Sequence, residues 1–115
     1  MKVIVAVIQP PKLSAVRESL AKIEVLRMTV CDAQGFGRQG GRSGIFRAGE
    51  HPTLLLRKVV LEIVVNDDFL DRALDAIIYA ARTGPKGTIG DGKIFVLPAG
   101  EAIQIDNGHR GPGAV

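Results

Sequence analysis

The sequence predicts an α+β fold, a ferredoxin-like βαββαβ sandwich built from two strand–helix–strand units. Two largely apolar runs are typical of buried strands, a β-branched one at residues 3–8 and a longer one at 54–65 that is apolar except for Arg57, Lys58 and Glu62. Each run is followed by a segment whose apolar residues recur at helical spacing. In this order both helices cover one face of the sheet, so the apolar residues of the other face require a second cover. A partner subunit would be the simplest one.

The first unit begins with the strand at residues 3–8, whose continuous apolar character predicts burial on both faces. A Gln-Pro-Pro segment at residues 9–11 ends this strand, and proline suits the first turn of a helix. The first helix is predicted at about residues 12–24. A second strand is predicted at residues 26–33, and it should continue into the Gly-Phe-Gly segment at 35–37.

Between about residues 37 and 54 the sequence loses its periodicity and is interrupted by glycines. A loop this long inside a compact domain is usually functional. Arg42 and Arg47 make it basic, and the apolar residues Ile45 and Phe46 lie between them. We interpret these four residues as a docking tip for a partner protein; the alternative is a disordered connector.

The second unit begins with the strand at residues 54–65, after which residues 66–68 (Asn-Asp-Asp) favour a helix N-terminus. The second helix is predicted at about residues 67–82. Its inward-facing residues are Leu70, Ala73, Leu74, Ile77 and Ala81. A glycine-rich loop follows, then a strand at residues 93–97 and a short strand at about 102–105.

Length and composition indicate one domain, residues 1–115, with a flexible tail at about 106–115. We expect no signal peptide and no membrane span. The single cysteine, Cys31, is expected to be a small buried side chain in a reducing, cytoplasmic protein. The net charge of +3, one tyrosine and no tryptophan give little support for nucleic-acid binding.

The sequence gives no indication of catalysis or of a metal site. His51 and His109 fall in a loop and in the tail, and no metal-ligand spacing joins them to Cys31. The acidic residues that begin the second helix are explained as a solvated helix face. We therefore expect a binding protein rather than an enzyme.

The glycine-rich segment at residues 83–92, which we call the glycine loop, is the strongest candidate for a ligand site. Its glycines permit positive φ and leave backbone N–H groups uncovered, which can form an anion-binding concavity. They are Gly84, Gly87, Gly90 and Gly92. Lys86 and Lys93 add positive charge; the alternative is a tight turn with incidental lysines. The segment is not a P-loop, because Ile94 rather than Ser or Thr follows Lys93.

Residues 90–96, Gly-Asp-Gly-Lys-Ile-Phe-Val, resemble the C-terminal signature of the PII nitrogen-regulatory signal proteins. Residues 28–30 and 35–39 resemble the start of that family's long T-loop, and residues 59–65 resemble the strand that leaves it. The likeness runs in order from residue 1 to about residue 105. It implies a divergent family member, a homotrimer with its T-loop at about residues 37–54 between strands 2 and 3.

The resemblance implies a cleft between subunits that binds an adenine nucleotide (ATP, ADP or AMP) with Mg²⁺. The residues at the matching positions are Thr29, Gly35, Phe36, Gly37, Arg38, Glu62, Val64, Gly90, Asp91, Gly92 and Lys93. Gln39 and Lys58 match positions that help to bind 2-oxoglutarate beside Mg-ATP, although a solvated lysine at a strand edge explains Lys58 equally well. The T-loop would grip an ammonium transporter or a metabolic enzyme, so any contact with a membrane would be indirect.

The likeness departs from the family pattern at the phosphates, where two usual arginines correspond to Gln104 and Asp106. Three functions are therefore compatible with the sequence. The first is a nitrogen regulator of the kind just described. The second is a divergent regulator that senses ADP or AMP with another small anion, such as bicarbonate, in carbon uptake. The third is a small phosphate-handling enzyme or a CutA-like metal protein of the same fold.

Overall fold

The computed structural model describes residues 1–37 and 54–115 and confirms the predicted βαββαβ order. The strands and helices, in chain order, are β1 (Lys2–Ile8), α1 (Leu13–Ala21), β2 (Thr29–Gly37), β3 (Leu54–Val65), α2 (Leu70–Ala81) and β4 (Gly92–Pro98). Short 3-10 turns precede both helices, and a third lies at Pro112–Ala114.

The four strands form one antiparallel sheet in the order β2-β3-β1-β4. The two long apolar strands, β1 and β3, are therefore central, and β2 and β4 form the edges. Residues directly opposite each other on paired strands share a face of the sheet. The register aligns Thr29 with Glu62, Glu62 with Val5, and Val5 with Phe95, so these four residues form one row across the sheet.

One face of the sheet is covered by α1 and α2, and the core lies between these layers. The buried side chains alternate along the central strands, as in Ile4, Ala6 and Ile8 of β1. The rest of the core is Val16, Leu20, Val59, Leu61, Ile63, Val65, Ala73, Ile77 and Ala81. The inward positions predicted for α2 are confirmed, with Leu70 and Leu74 packed partly buried against this core.

The opposite face, which we call the open face, has no cover within the described part of the chain. It carries Val3, Val5 and Val7 of β1, which are half-buried, and Val64, Phe95 and Leu97, which are exposed. Within one chain, β1 is thus buried on one face only.

Both helices are shorter than predicted. Asn66 does not cap α2, because a 3-10 turn at Asp67–Phe69 separates it from the helix. The Asn66 side-chain amide donates to the carbonyl of Pro112. α1 ends at Ala21 rather than at residue 24 because Glu24 adopts a positive φ of 65°, which lets the Val25 N–H bond to the Leu20 carbonyl.

Two further predictions are wrong. Cys31 is exposed rather than buried, because it lies on the open face of the edge strand β2. The short strand predicted at 102–105 is a single bridge between Ile103 and Arg110, closed by a turn in which the Gly108 N–H bonds to the Gln104 carbonyl. The flexibility of residues 106–115 stays a prediction.

Candidate functional site

The glycine loop joins α2 to β4 through a backbone that only glycine adopts easily. Gly84, Gly87 and Gly90 have φ values of 69°, 75° and 101°. These angles are strained for residues with a Cβ, so the expectation of positive φ in this loop is confirmed.

The Asp91 side chain holds the loop together from within. One carboxylate oxygen accepts the Thr83 hydroxyl at 2.6 Å, and the other accepts the N–H groups of Thr83 at 3.0 Å and Thr88 at 2.8 Å. Partial burial raises the pKa of this carboxyl, but the hydrogen bonds from Thr83 and Thr88 favour the charged form, and the net pKa lies below its ordinary value of 3.8. Asp91 therefore shapes the loop, and its oxygens point to the loop backbone.

The Gly90 carbonyl ties the loop to the central strands. Its oxygen accepts a hydrogen bond from the Gln9 side-chain amide at 2.9 Å and another from the Lys58 ammonium at 3.1 Å. Gln9 follows β1, and Lys58 lies within β3. Three segments that are distant in sequence thus meet at one backbone oxygen.

Gly92, the first residue of β4, lies against the backbone of β1. A Cβ built at this position would lie 1.9 Å from the Val7 carbonyl oxygen, and the φ of Gly92 is 126°. Only glycine fits at this position. The close approach brings the glycine loop against the end of β1.

The remaining residues of the expected nucleotide site lie mostly on the open face. Thr29 and Glu62 are cross-strand partners there, and the register puts Lys58 and Lys93 on the same face as these two. Gly35, Gly37 and Val64 belong to it as well. Phe36 projects from the other face of β2 and is 81% exposed.

One chain does not bring these residues into a single cluster. β2 and β4 are the opposite edges of the sheet, about three strand spacings or roughly 14 Å apart. Thr29 at one edge and the glycine loop at the other therefore cannot contact the same phosphate or base within one chain.

Several expected residues lie outside the described part of the chain. They are Arg38 and Gln39 at the start of the T-loop and the docking residues Arg42, Ile45, Phe46 and Arg47. Three residues that shape the loop, Gln9, Thr83 and Thr88, are not among those expected to bind the nucleotide. A Gln directly after a buried strand is a weak signal, and its partner is 81 residues away.

A cleft of about 290 Å³ lies beside the glycine loop, between the end of α2 and the start of β4. Its walls are largely apolar, formed by residues such as Ile78, Ala81 and Ile94. Arg82, Asp91 and Lys93 bring charged groups to the same cleft.

In residues 1–37 and 54–115, no group of three or more His, Cys, Asp or Glu side chains is arranged to hold a metal ion. Neither α1 nor α2, the helices of the same described ranges, is long and apolar enough to span a membrane.

The fold and the loop define a small ferredoxin-like α+β protein with a structured glycine loop at one end of a sheet whose other face is open. Comparison with known proteins extends this description. A family model described as nitrogen regulatory protein P-II matches residues 1–109. The chain therefore belongs to the P-II family of nitrogen regulatory proteins.

Individual relatives agree over the whole chain. Nitrogen regulatory protein GlnK1 of Methanosarcina mazei is 45% identical over 115 residues, covering 100% of this chain and 97% of that protein. Nitrogen regulatory protein P-II of Bradyrhizobium diazoefficiens is 47% identical, with 100% of both chains covered. Among solved structures, Arabidopsis thaliana PII bound to citrate superimposes with a TM-score of 0.78 at 34% identity, covering 98% of this chain and 87% of that one.

These relatives are named as regulatory proteins, which confirms the expected family and the expectation of a regulator rather than an enzyme. Family membership also removes the CutA-like and enzymatic alternatives.

Proposed function

We propose that this P-II protein is a homotrimer that binds adenine nucleotides in clefts between subunits and controls a target of nitrogen metabolism through its T-loop. The observation that carries this proposal is the separation of the site residues. Thr29 lies at the β2 edge, and Lys93 with the glycine loop lies at the β4 edge. A second chain packed against the open face would bring the β4 edge of one subunit to the β2 edge of the next.

The chemistry of the glycine loop suits a phosphate. Gly90 and Gly92 carry no side chain that would keep an anion from the backbone, and Lys93 is an exposed cation beside them. The Asp91 carboxylate is turned toward Thr83 and Thr88 by three hydrogen bonds, so its charge is satisfied within the loop. Val64 offers an exposed apolar surface for an adenine ring. Mg²⁺ would be carried by the nucleotide phosphates.

The Lys58 ammonium is the candidate group for a small carboxylate such as 2-oxoglutarate, together with Gln39 of the T-loop. Lys58 is half-buried beside Gly90, where a charge-assisted contact is stronger than at the free surface. The Arabidopsis relative was solved with citrate, a small polycarboxylate, which shows that such an anion binds that protein.

The apolar open face supports the trimer. Val64, Phe95 and Leu97 are exposed there, next to the half-buried Val3 and Val5. An exposed contiguous apolar surface of this kind marks an interaction site. The target would be an ammonium transporter or a metabolic enzyme in the cytoplasm, reached by Arg42, Ile45, Phe46 and Arg47.

A second candidate differs in the ligand. Gln104 and Asp106 stand where the family usually has two arginines, which favours ADP or AMP over ATP and allows another small anion such as bicarbonate as the effector. In both candidate functions the ligands bind in the same cleft between subunits.

Light scattering and calorimetric titration with ADP test the proposal. The wild type should have three times the mass of one chain and bind about one ADP per chain. Leu97→Glu, which puts a charge on the open face, should lower the mass and abolish binding together. Tyr79→Glu is the matched control, because Tyr79 is 84% exposed on α2. A wild-type monomer at micromolar concentration, or a Leu97→Glu monomer that binds ADP normally, would contradict a site shared between subunits.

A further inference from the structure

We propose that Gln9 is a positioning residue that keeps the Gly90 carbonyl hydrogen-bonded and thereby frees the Lys58 ammonium to bind an anion. This inference rests on the proposed function for its ligand. The contacts that carry it are the two hydrogen bonds to one oxygen, 2.9 Å from Gln9 and 3.1 Å from Lys58.

A carbonyl oxygen has two lone pairs and accepts both donors at once. Both contacts are partly buried, so a lost hydrogen bond would not be replaced freely by water. If Lys58 were the one donor, its departure toward a carboxylate would leave the Gly90 carbonyl unsatisfied and loosen the glycine loop. With Gln9 in place, Lys58 can leave while the loop keeps its backbone conformation.

The charges fit this division of roles. Gln9 is neutral and cannot replace a cation as a partner for a carboxylate, so it acts on the anion only through Gly90 and Lys58. Lys58 carries the charge and lies on the open face, as does Lys93. Glu62 lies on the same face, four residues along β3 from Lys58. Asp91, the acidic residue of the same loop, is hydrogen-bonded to Thr83 and Thr88 and leaves the ammonium free of a competing carboxylate within the loop.

The first test needs no ligand and measures the hydrogen exchange of residues 84–92 in Gln9→Ala, Lys58→Ala and the double variant. Two donors on one acceptor substitute for each other, so each single variant should speed exchange only slightly. In the double variant the increase in exchange rate should exceed the product of the two single increases by about tenfold. Gln34→Ala combined with Lys58→Ala is the matched control, because Gln34 is exposed on the other face of β2, and its effects should multiply. Multiplicative effects for Gln9 and Lys58 would overturn the inference.

The second test titrates 2-oxoglutarate into the Mg-ATP-bound protein. Gln9→Ala should weaken the binding of 2-oxoglutarate about tenfold and the binding of ATP by no more than about threefold, since only the departure of Lys58 from Gly90 becomes costly. Gln9→Met, which has a similar length but no N–H donor, should weaken the binding of 2-oxoglutarate as much as Gln9→Ala does. Equal 2-oxoglutarate affinity in wild type and Gln9→Ala would overturn the inference. A wild type that binds no nucleotide defeats the proposed function instead, and the exchange test then still decides the role of Gln9.

Discussion

The Thr83 hydroxyl donates a 2.6 Å hydrogen bond to Oδ1 of Asp91 and joins the end of α2 to the start of β4. The second oxygen of the same carboxylate accepts the Thr83 and Thr88 N–H groups. Three donors therefore converge on one side chain of the glycine loop. In the proposed site Asp91 is an organiser of the cradle rather than a ligand-binding group.

The substitution Asp91→Asn tests this role. The amide keeps one acceptor oxygen, but its NH₂ group would face donors instead of accepting from them. We expect a loss of roughly 0.5–1.5 kcal/mol in the free energy of unfolding, because these hydrogen bonds are exposed, and faster hydrogen exchange over residues 83–92. Urea unfolding and exchange mass spectrometry measure both. Asp75→Asn, at an exposed position of α2, is the control, and equal behaviour of the two variants would disprove the assigned role.

Acid should lower the stability of the folded state, because two carboxylates that it holds in the charged form, those of Asp67 and Asp91, become protonated. The pKa of Asp67 is lowered by a hydrogen bond from the terminal ammonium and by Lys2, and that of Asp91 is lowered by Thr83 and Thr88 against the effect of burial. A carboxyl whose folded-state pKa is depressed stabilises the protein above its unfolded value of 3.8, and this contribution is lost as pH falls through the folded pKa. The urea midpoint should therefore drop below pH 3.8, with a smaller drop in Asp67→Asn and Asp91→Asn. Identical pH profiles in all three proteins would refute the assignment.

The sequence predicts the fold well where local pattern and burial agree. The apolar runs of β1 and β3 correctly predicted two strands, and the helical spacing from Leu70 to Ala81 correctly predicted the inner face of α2. The helix ends differ from the prediction because they depend on the backbone conformation of single residues rather than on apolar spacing. The positive φ of Glu24 ends α1, and the 3-10 turn at Asp67–Phe69 delays the start of α2.

The candidate site was predicted less completely, since its contacts are long-range. The glycine spacing and Lys93 indicated the loop, but the meeting of Gln9, Lys58 and Gly90 joins residues separated by 81 and 32 positions. The exposure of Cys31 depends on which strand forms the edge, and strand order is not contained in the local pattern of β2.

Glu24 is a position where a substitution should stabilise the protein. Its φ of 65° is unfavourable for a residue with a Cβ, and it follows α1 where helices commonly end with glycine. Glu24→Gly should raise the free energy of unfolding by up to about 1 kcal/mol. Glu18→Gly, inside α1, is the matched control and should lower it by about 1 kcal/mol. Thermal or urea unfolding measures the stability change in each variant. Destabilisation by both substitutions would show that Glu24 is unstrained.

Nucleotide preference should follow the charge at two positions near the C-terminus. Gln104 and Asp106 supply one negative charge where two arginines are usual in the family, so ADP and AMP should bind at least as tightly as ATP. The double substitution Gln104→Arg with Asp106→Arg should strengthen the binding of ATP by about tenfold or more, because each charge-assisted phosphate contact contributes roughly 1.5–3 kcal/mol. The binding of AMP, which has fewer phosphates, should be strengthened less. Competition titrations at fixed Mg²⁺ compare the three nucleotides, with Lys86→Ala as a check on the loop lysine. A strong ATP preference that persists in Lys86→Ala would contradict this location of the phosphates.

A site assembled from two subunits is tested most directly by mixing two defective chains. Lys93→Ala damages the β4 side of the cleft, and Thr29→Arg blocks the β2 side, so trimers of either variant alone should not bind ADP. After denaturation and refolding of an equal mixture, random assembly pairs an intact Thr29 side with an intact Lys93 side in about a quarter of the clefts. We therefore predict that the mixture recovers about one quarter of the wild-type ADP-binding sites in a calorimetric titration. If the two variants co-assemble and recover no binding, while the wild type binds ADP, the site does not lie between subunits.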